Sequence, residues 1–91
     1  MKQLNGTVTG VSWFDETHFS IRVAVPDLGE EVLPGQFFQL KSPAKYLRRP
    51  ISVARVRGNE VIFFVKILGE GTPGIAKLRS GERLDLSGPL G

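Results

Sequence analysis

Apolar and polar residues alternate along several short stretches of this chain, which is the pattern of half-buried β-strands. In the stretch 17–25 every second residue from the third onward is apolar, namely Phe19, Ile21, Val23 and Val25. Comparable patterns predict five further strands, over 5–13, 35–41, 49–57, 60–68 and 81–87. Turn-forming residues separate them, and Gly58-Asn59 is a two-residue hairpin turn between the fourth and fifth strands. The chain is therefore expected to be built from short antiparallel strands.

One segment between the fifth and sixth strands has the character of a short helix. Thr72 suits the N-cap, Pro73 suits the first helical position, and Gly81 lies just past the end. We therefore predict a helix over 73–79. Six short strands and one short helix in 91 residues predict an all-β fold, a six-stranded antiparallel Greek-key barrel, because closure removes exposed strand edges. The whole chain, 1–91, is expected to form this one domain.

The apolar positions of the strands define an expected core. Val8 and Val11 belong to it in the first strand, and Leu84 and Leu86 in the sixth. The stretch 60–68 is the most apolar and is expected to be a central strand. Four phenylalanines in apolar strands are also expected inside the barrel: Phe37, Phe38, Phe63 and Phe64.

The composition leaves few groups for chemistry. The chain has no cysteine and a single histidine, His18, which lies on the polar face of a predicted strand and is expected to point to water. Without cysteine, these residues form no disulfide, thiolate nucleophile or cysteine-ligated cluster. No spacing of histidine, aspartate or glutamate is typical of a metal site. Any chemistry is therefore expected to come from a cofactor.

Charge and hydropathy indicate a protein that works away from membranes and nucleic acids. The net charge of +3 is mostly scattered and slightly favours anionic ligands such as nucleotides. The longest apolar run, over 61–68, is interrupted by Lys66 and is far too short to span a bilayer. The N-terminal residues lack the apolar centre of a signal peptide, so we expect a cytoplasmic location. Aromatic residues in the expected core, rather than among exposed basic residues, disfavour a barrel that binds RNA.

Two segments offer a binding site. At the start of the fourth strand, the guanidinium group of Arg49 suits a phosphate, and Ser52 offers a hydroxyl from the same strand. Taken alone, this segment is more typical of an ordinary basic loop end. The second segment, 69–74, contains three glycines before the predicted helix, where free N–H groups favour phosphate, although turn formation is the commoner use of such a loop. Adjacent fourth and fifth strands would bring Arg49 and Thr72 to one side of the barrel.

Four motifs in register resemble those of the FAD-binding domains of the ferredoxin-reductase-like superfamily. They are Arg49-Pro50-Ile51-Ser52, Pro34-Gly35-Gln36-Phe37, the run Gly69 to Thr72, and Gly88-Pro89-Leu90-Gly91, and the predicted helix exit Leu78–Gly81 fits the same order. The branch that the chain resembles most is the electron-transfer subunit of dihydroorotate dehydrogenase, which acts in pyrimidine biosynthesis. The resemblance covers essentially the whole chain.

This resemblance implies a role for each matched residue. Arg49 would hold the FAD pyrophosphate, Pro50 and Ile51 would line the isoalloxazine ring, and Ser52 would bond near its redox-active edge. Many relatives carry an aromatic residue where this chain has Ile51. The backbone of Phe64, Val65 and Lys66 would contact the ribityl and adenine side of FAD. Gly71 and Thr72 would donate hydrogen bonds to its phosphates.

The resemblance also implies parts that this chain does not contain. The family continues past the final Gly-Pro-Leu-Gly run into a nicotinamide-binding α/β domain, and this branch adds a cysteine-ligated 2Fe–2S cluster. The chain is therefore interpreted as an isolated FAD-binding domain that is not competent for full turnover. Its expected partner is the dihydroorotate dehydrogenase catalytic subunit or another redox protein. Other functions stay open as alternatives: a sulfide dehydrogenase or hydrogenase-linked flavin subunit, an RNA-binding barrel, or a purely structural barrel. A homodimer also stays open.

Overall fold

The computed structural model of the chain describes residues 2–26, 28, 32–33, 35–41, 49–67 and 79–90. Within these ranges it contains six β-strands. In chain order they are β1 (Lys2–Trp13), β2 (His18–Ala24), β3 (Phe37–Lys41), β4 (Arg49–Arg57), β5 (Glu60–Lys66) and β6 (Arg83–Leu90). Between β4 and β5, Gly58 has a φ of 59°, which is the left-handed conformation that the predicted hairpin turn requires.

The six strands close into one barrel in the order β1-β2-β5-β4-β3-β6, and every neighbouring pair is antiparallel. This order confirms the predicted Greek-key barrel. Because the barrel is closed, each strand has two neighbours, so β5 is not a more central strand than the others, as its apolar sequence had suggested. The helix predicted over 73–79 lies outside the described residues, apart from Arg79, and stays a prediction.

The barrel interior is filled by the inward residues of all six strands. The alternating residues of the stretch 17–25 are all fully buried, as their period of two predicted. Phe38 and Phe63 meet edge to face inside the barrel, with ring centroids 5.8 Å apart and planes at 87°. This arrangement suits the quadrupoles of aromatic rings. Leu84 and Leu86 are also buried, and Val11 packs against the core while half-buried.

Two of the four phenylalanines expected in the core are not buried there. Phe64 is 49% exposed, so its assignment to the core is wrong. Phe37 is only half-buried. The reason is the pleat of the strand, which points adjacent residues to opposite faces. Because Phe63 and Phe38 take the inward positions, their neighbours Phe64 and Phe37 lie on the outer face.

At one end of the barrel, the start of β2, the end of β5 and the start of β4 lie side by side. His18, at the start of β2, pairs with Lys66 at the end of β5. The β1–β2 turn is attached at the same place, since the backbone N–H of Ile67 donates to the carbonyl of Thr17 at 2.8 Å. Val53 of β4 pairs with Phe63 of β5, so the antiparallel course of these strands carries the start of β4 toward that end as well. The outer face of β4, β5 and β2 is therefore continuous at this end of the barrel.

Candidate functional site

The start of β4 presents the segment that the sequence analysis singled out. Pro50 and Ser52 are exposed on the outer face, whereas Ile51 is half-buried and packs against the core. The pairing with β3 is regular here and places Phe37 opposite Ser52 and Gln39 opposite Pro50. The segment is thus held in register by the barrel while its alternate residues face outward.

The end of β5 provides the neighbouring part of the same face. Phe64 and Lys66 are exposed, and Val65 is buried, with 1% of its surface accessible. The Val53–Phe63 pair lies one step inside, so Ser52 and Phe64 follow it on the outer face toward the same end. Val65 is therefore available to a ligand on this face through its backbone alone, because its side chain belongs to the core.

The other predicted site residues are described only in part. The backbone of Arg49 begins β4 opposite Leu40 of β3. Gly71 and Thr72 lie outside the described residues, and their predicted phosphate contacts stay predictions. Among the predicted residues, the structure brings together Pro50, Ile51 and Ser52 of β4 with Phe64, Val65 and Lys66 of β5.

An aromatic patch that the sequence analysis did not predict extends this face. It consists of Phe14, His18 and Phe64. The ring centroid of Phe64 lies 5.5 Å from that of Phe14, with planes at 37°, and 5.8 Å from that of His18, with planes at 29°. Phe14 is 62% exposed in the turn after β1. The only sequence signal was an apolar residue in a polar turn, which does not reveal its neighbour on β5.

The β1–β2 turn is organised by the carboxylate of Asp15. Its Oδ1 accepts hydrogen bonds from the backbone N–H of Thr17 at 2.8 Å and of His18 at 2.9 Å. Nδ1 of the His18 ring lies 3.0 Å from the same oxygen. These bonds, led by the one from the Thr17 backbone and followed by the His18 side chain, hold the pKa of Asp15 well below its ordinary value of 3.8. The carboxylate is therefore ionised at neutral pH and fixes the orientation of the His18 ring.

The expectation that His18 points to water is only partly right. Its side chain is 29% exposed, and one edge of the ring is held by Asp15. Its ring also faces Phe64 across the neighbouring strand. The polar face of β2 is thus in contact with the exposed aromatic residue of β5.

In the described ranges, no group of three or more histidine, aspartate or glutamate side chains is arranged to hold a metal ion. No helix in the same part of the chain has the length and apolar character needed to cross a bilayer.

Solved structures identify the class of barrel. The ferredoxin reductase of carbazole 1,9a-dioxygenase superposes with a TM-score of 0.87 over 99% of this chain and 30% of that one, at 24% identity. An NADH-dependent reduced ferredoxin-NADP oxidoreductase gives 0.82 over 94% of this chain and 32% of its own, at 25% identity. A ferredoxin NADP+ reductase from Neisseria gonorrhoeae, solved with bound FAD and NADP, gives 0.74 at 18% identity, over 94% of this chain and 37% of that one. The chain is a barrel of the ferredoxin-reductase FAD-binding type.

Sequence relatives specify the branch. The chain is similar to the electron-transfer subunit of dihydroorotate dehydrogenase B (NAD(+)). The Clostridium perfringens protein is 46% identical over 57 residues, which are 63% of this chain and 23% of that protein. The Clostridium acetobutylicum protein is 38% identical over 63 residues, 67% of this chain and 26% of that one. These similarities confirm the resemblance drawn from the motifs.

The match covers only part of each relative. The chain spans about a quarter of the length of the curated relatives it matches. No protein-family model matches the chain. The relatives are components of oxidoreductases.

Proposed function

We propose that this chain binds FAD on the outer face of β4 and β5 and forms the flavin-carrying part of an electron-transfer subunit. The observation that carries the proposal is the position of the exposed Pro50 and Ser52 of β4 beside the exposed Phe64 and Lys66 of β5. This segment completes the motif Arg49-Pro50-Ile51-Ser52 on a barrel of the matching fold. The fold places the motif on a rigid strand, and a site on a strand is more exactly positioned than one on a loop.

The residues on this face suit the parts of FAD. The exposed Ser52 hydroxyl can both donate and accept a hydrogen bond at the polar edge of the isoalloxazine ring. Pro50 and the accessible part of Ile51 offer apolar surface to its flat face. Lys66 offers positive charge for the pyrophosphate, and the guanidinium group of Arg49 would add to it. Gly71 and Thr72 would add donors to the same phosphates.

The chemistry itself belongs to the cofactor, since bound FAD accepts two electrons as a hydride and releases them singly. The protein's own part is to bind and orient. The closed barrel fixes the backbone of β4, so Ser52 keeps its position at the ring edge without rearrangement. The core below Ile51 and Val65 keeps water from reaching the inner side of these two strands.

The complete subunit would carry the further steps. We propose that electrons pass between a nicotinamide and a catalytic subunit of the dihydroorotate dehydrogenase type, through FAD and a 2Fe–2S cluster held by other parts of the protein. The similarity to electron-transfer subunits of dihydroorotate dehydrogenase B (NAD(+)) supports this assignment. In this proposal residues 1–91 are the FAD-binding domain, and the protein acts in the cytoplasm.

The test is a flavin titration with matched arginine variants. The purified chain should bind FAD, with quenched flavin fluorescence and a shifted visible spectrum. We expect Arg49→Ala to weaken binding by about 1.5–3 kcal/mol, the range for a hydrogen bond to a charged group. Arg48→Ala should do less, because the motif begins at Arg49.

A second control removes a positive charge from the same strand at its other end. Arg57 is exposed and pairs with Glu60 beside the hairpin, so Arg57→Ala should leave FAD affinity unchanged. Equal losses in Arg48→Ala and Arg49→Ala would contradict the phosphate assignment. Absence of FAD binding by the unmodified chain would contradict the proposed function.

A further inference from the structure

We propose that the side chain of Phe64 is the aromatic surface against which the isoalloxazine ring of the flavin packs, and that His18 and Phe14 hold Phe64 in position for it. This inference rests on the proposed function. It gives the Phe64 side chain a role beyond the backbone contact that the sequence predicts. It also places the flavin ring over β4 and β5 rather than over β4 and β3.

Phe64 is the neighbour of Ser52 on the outer face of the barrel. Val53 of β4 pairs with Phe63 of β5, and both side chains are buried. Ser52 and Phe64 are the next residues toward the same end, so they face outward side by side, at the spacing of about 4.8 Å between neighbouring strands. A tricyclic ring is wider than this spacing. A flavin whose polar edge bonds to the Ser52 hydroxyl therefore contacts one of the two residues that flank it.

The charge on the outer face favours the β5 side of Ser52. The motif 49–52 contains no aromatic residue, so an aromatic contact with the ring comes from a neighbouring strand. Phe64 on β5 and Phe37 on β3 both lie beside Ser52. Phe37 is half-buried, whereas Phe64 is 49% exposed and is followed on the same face by the exposed Lys66. Because the ribityl chain joins the ring to the phosphates, phosphates near Lys66 bring the ring to Phe64.

The Phe64 ring is held from the side away from β4. It contacts His18 and Phe14, which belong to β2 and to the turn before it. In the barrel order, β2 and β4 lie on opposite sides of β5. The His18 ring, within 29° of parallel to Phe64, is itself held by the carboxylate of Asp15, 3.0 Å from Nδ1. Phe64 thus offers a preoriented aromatic surface toward β4, and preorientation lowers the entropy cost of binding.

The experiment titrates FAD and FMN in parallel, because they share the isoalloxazine ring and differ in the adenine half. We expect Phe64→Ala to weaken both by the same factor, at least about fivefold, as for loss of one stacking partner. Phe64→Leu keeps apolar bulk without a ring and should also lose affinity, whereas Phe64→Tyr should keep most of it. The matched control is Ile62→Ala, on the same outer face of β5 but nearer the hairpin, which should change both affinities less than about twofold.

A double-mutant cycle tests His18 as a positioning residue. His18→Ala should weaken FAD and FMN equally but by less than Phe64→Ala, because His18 acts on the flavin only through the Phe64 ring. In the Phe64→Ala background His18→Ala should have no further effect, a non-additivity that two independent contacts would not give. At saturation, the shift of the visible flavin band should be smaller in Phe64→Ala than in the unmodified chain. Thermal melting of each variant checks that the barrel is intact.

The outcomes separate this inference from the proposed function. If Phe64→Ala weakens FAD but not FMN, the side chain contacts the adenine half and the inference is overturned. It is also overturned if Phe64→Ala has no more effect than Ile62→Ala, or if Phe37→Ala weakens both flavins more than Phe64→Ala does. In these cases the unmodified chain still binds flavin, so the proposed function stands. If neither flavin binds the unmodified chain, the proposed function fails and the inference falls with it.

Discussion

Gly6 of β1 has no room for a side chain, and Gly6→Ala is expected to be strongly destabilising. Gly6 is buried and pairs with Leu84. A Cβ atom there would lie 2.9 Å from Cδ1 of Leu86, closer still to Cγ1 of Val23, and 3.3 Å from the carbonyl oxygen of Ala24. Favourable carbon–carbon contacts need about 3.5–4.0 Å. Val23 and Leu86 are fully buried, so neither side chain has free space into which to move.

The loss of folding free energy in Gly6→Ala follows from two opposing effects. Overpacking of this kind costs about 1–3 kcal/mol, and the severe contacts favour the upper half of that range. The alanine also restricts the unfolded chain, which offsets about 0.4–1 kcal/mol. The net loss is therefore about 2 kcal/mol, which for a chain of this size lowers the melting temperature by about 8–16 °C. Urea unfolding followed by circular dichroism measures the loss directly.

Gly10→Ala is the matched control on the same strand. Gly10 is also buried, but the atoms that a Cβ would meet all belong to the far end of one side chain, the guanidinium group of Arg22. Arg22 lies on the outer face and can swing away, giving up its 3.2 Å hydrogen bond to Ser12. We expect a change within about 0.5 kcal/mol, as for other surface adjustments. Equal losses at Gly6 and Gly10, or a neutral Gly6→Ala, would refute this packing argument.

Two further predictions concern the pH dependence of stability at the β1–β2 turn and the oxidation of NADH by the FAD-loaded chain. Because the folded-state pKa of Asp15 is depressed, the stabilisation from its carboxylate is present above the ordinary value of 3.8 and declines as the pH falls below it. The stability difference between the unmodified chain and Asp15→Asn should therefore be larger at pH 7 than at pH 3 in urea unfolding, and a difference independent of pH would contradict this. The FAD-loaded chain alone should not oxidise NADH at a useful rate, because orienting the nicotinamide against the flavin accounts for about 7–11 kcal/mol of barrier lowering. Steady-state assays with an artificial acceptor test this, and turnover near that of a complete reductase would contradict it.

The strands were predictable because their signals are local. The alternation in 49–57 predicted β4 with its observed bounds, Arg49–Arg57. The end of β6 was less clear, since Gly88-Pro89 has the composition of a turn. The strand nevertheless continues to Leu90, because Gly88 pairs with Lys2 of β1 and Leu90 pairs with Phe37 of β3. These pairings join residues far apart in sequence, so no local pattern contains them.

The same distinction explains which parts of the candidate site were predictable. The residues of β4 and β5 lie in contiguous motifs, and a resemblance to known proteins was enough to select them. Phe14 and His18 meet Phe64 only because the β2–β5 register brings His18 opposite Lys66 and Ser20 opposite Phe64. Phe64 itself was assigned to the core because an apolar strand does not show which of two adjacent phenylalanines faces inward. That choice is made by the partner strands, as the pairing of Phe63 with Val53 shows.

Closure of the barrel through β1 and β6 has a consequence for how the chain folds. This pairing joins Leu4 to Leu86 and Asn5 to Asp85, so the barrel is sealed by residues from opposite ends of the sequence. Folds dominated by such distant pairings fold slowly, on the order of milliseconds to seconds, because loop-closure entropy is lost before the contacts form. During synthesis, β1 can pair with β2 early, but its other edge stays open until β6 has left the ribosome. An emerging chain therefore exposes an unpaired strand edge for most of its synthesis, which is the stage at which association with other chains is most favoured.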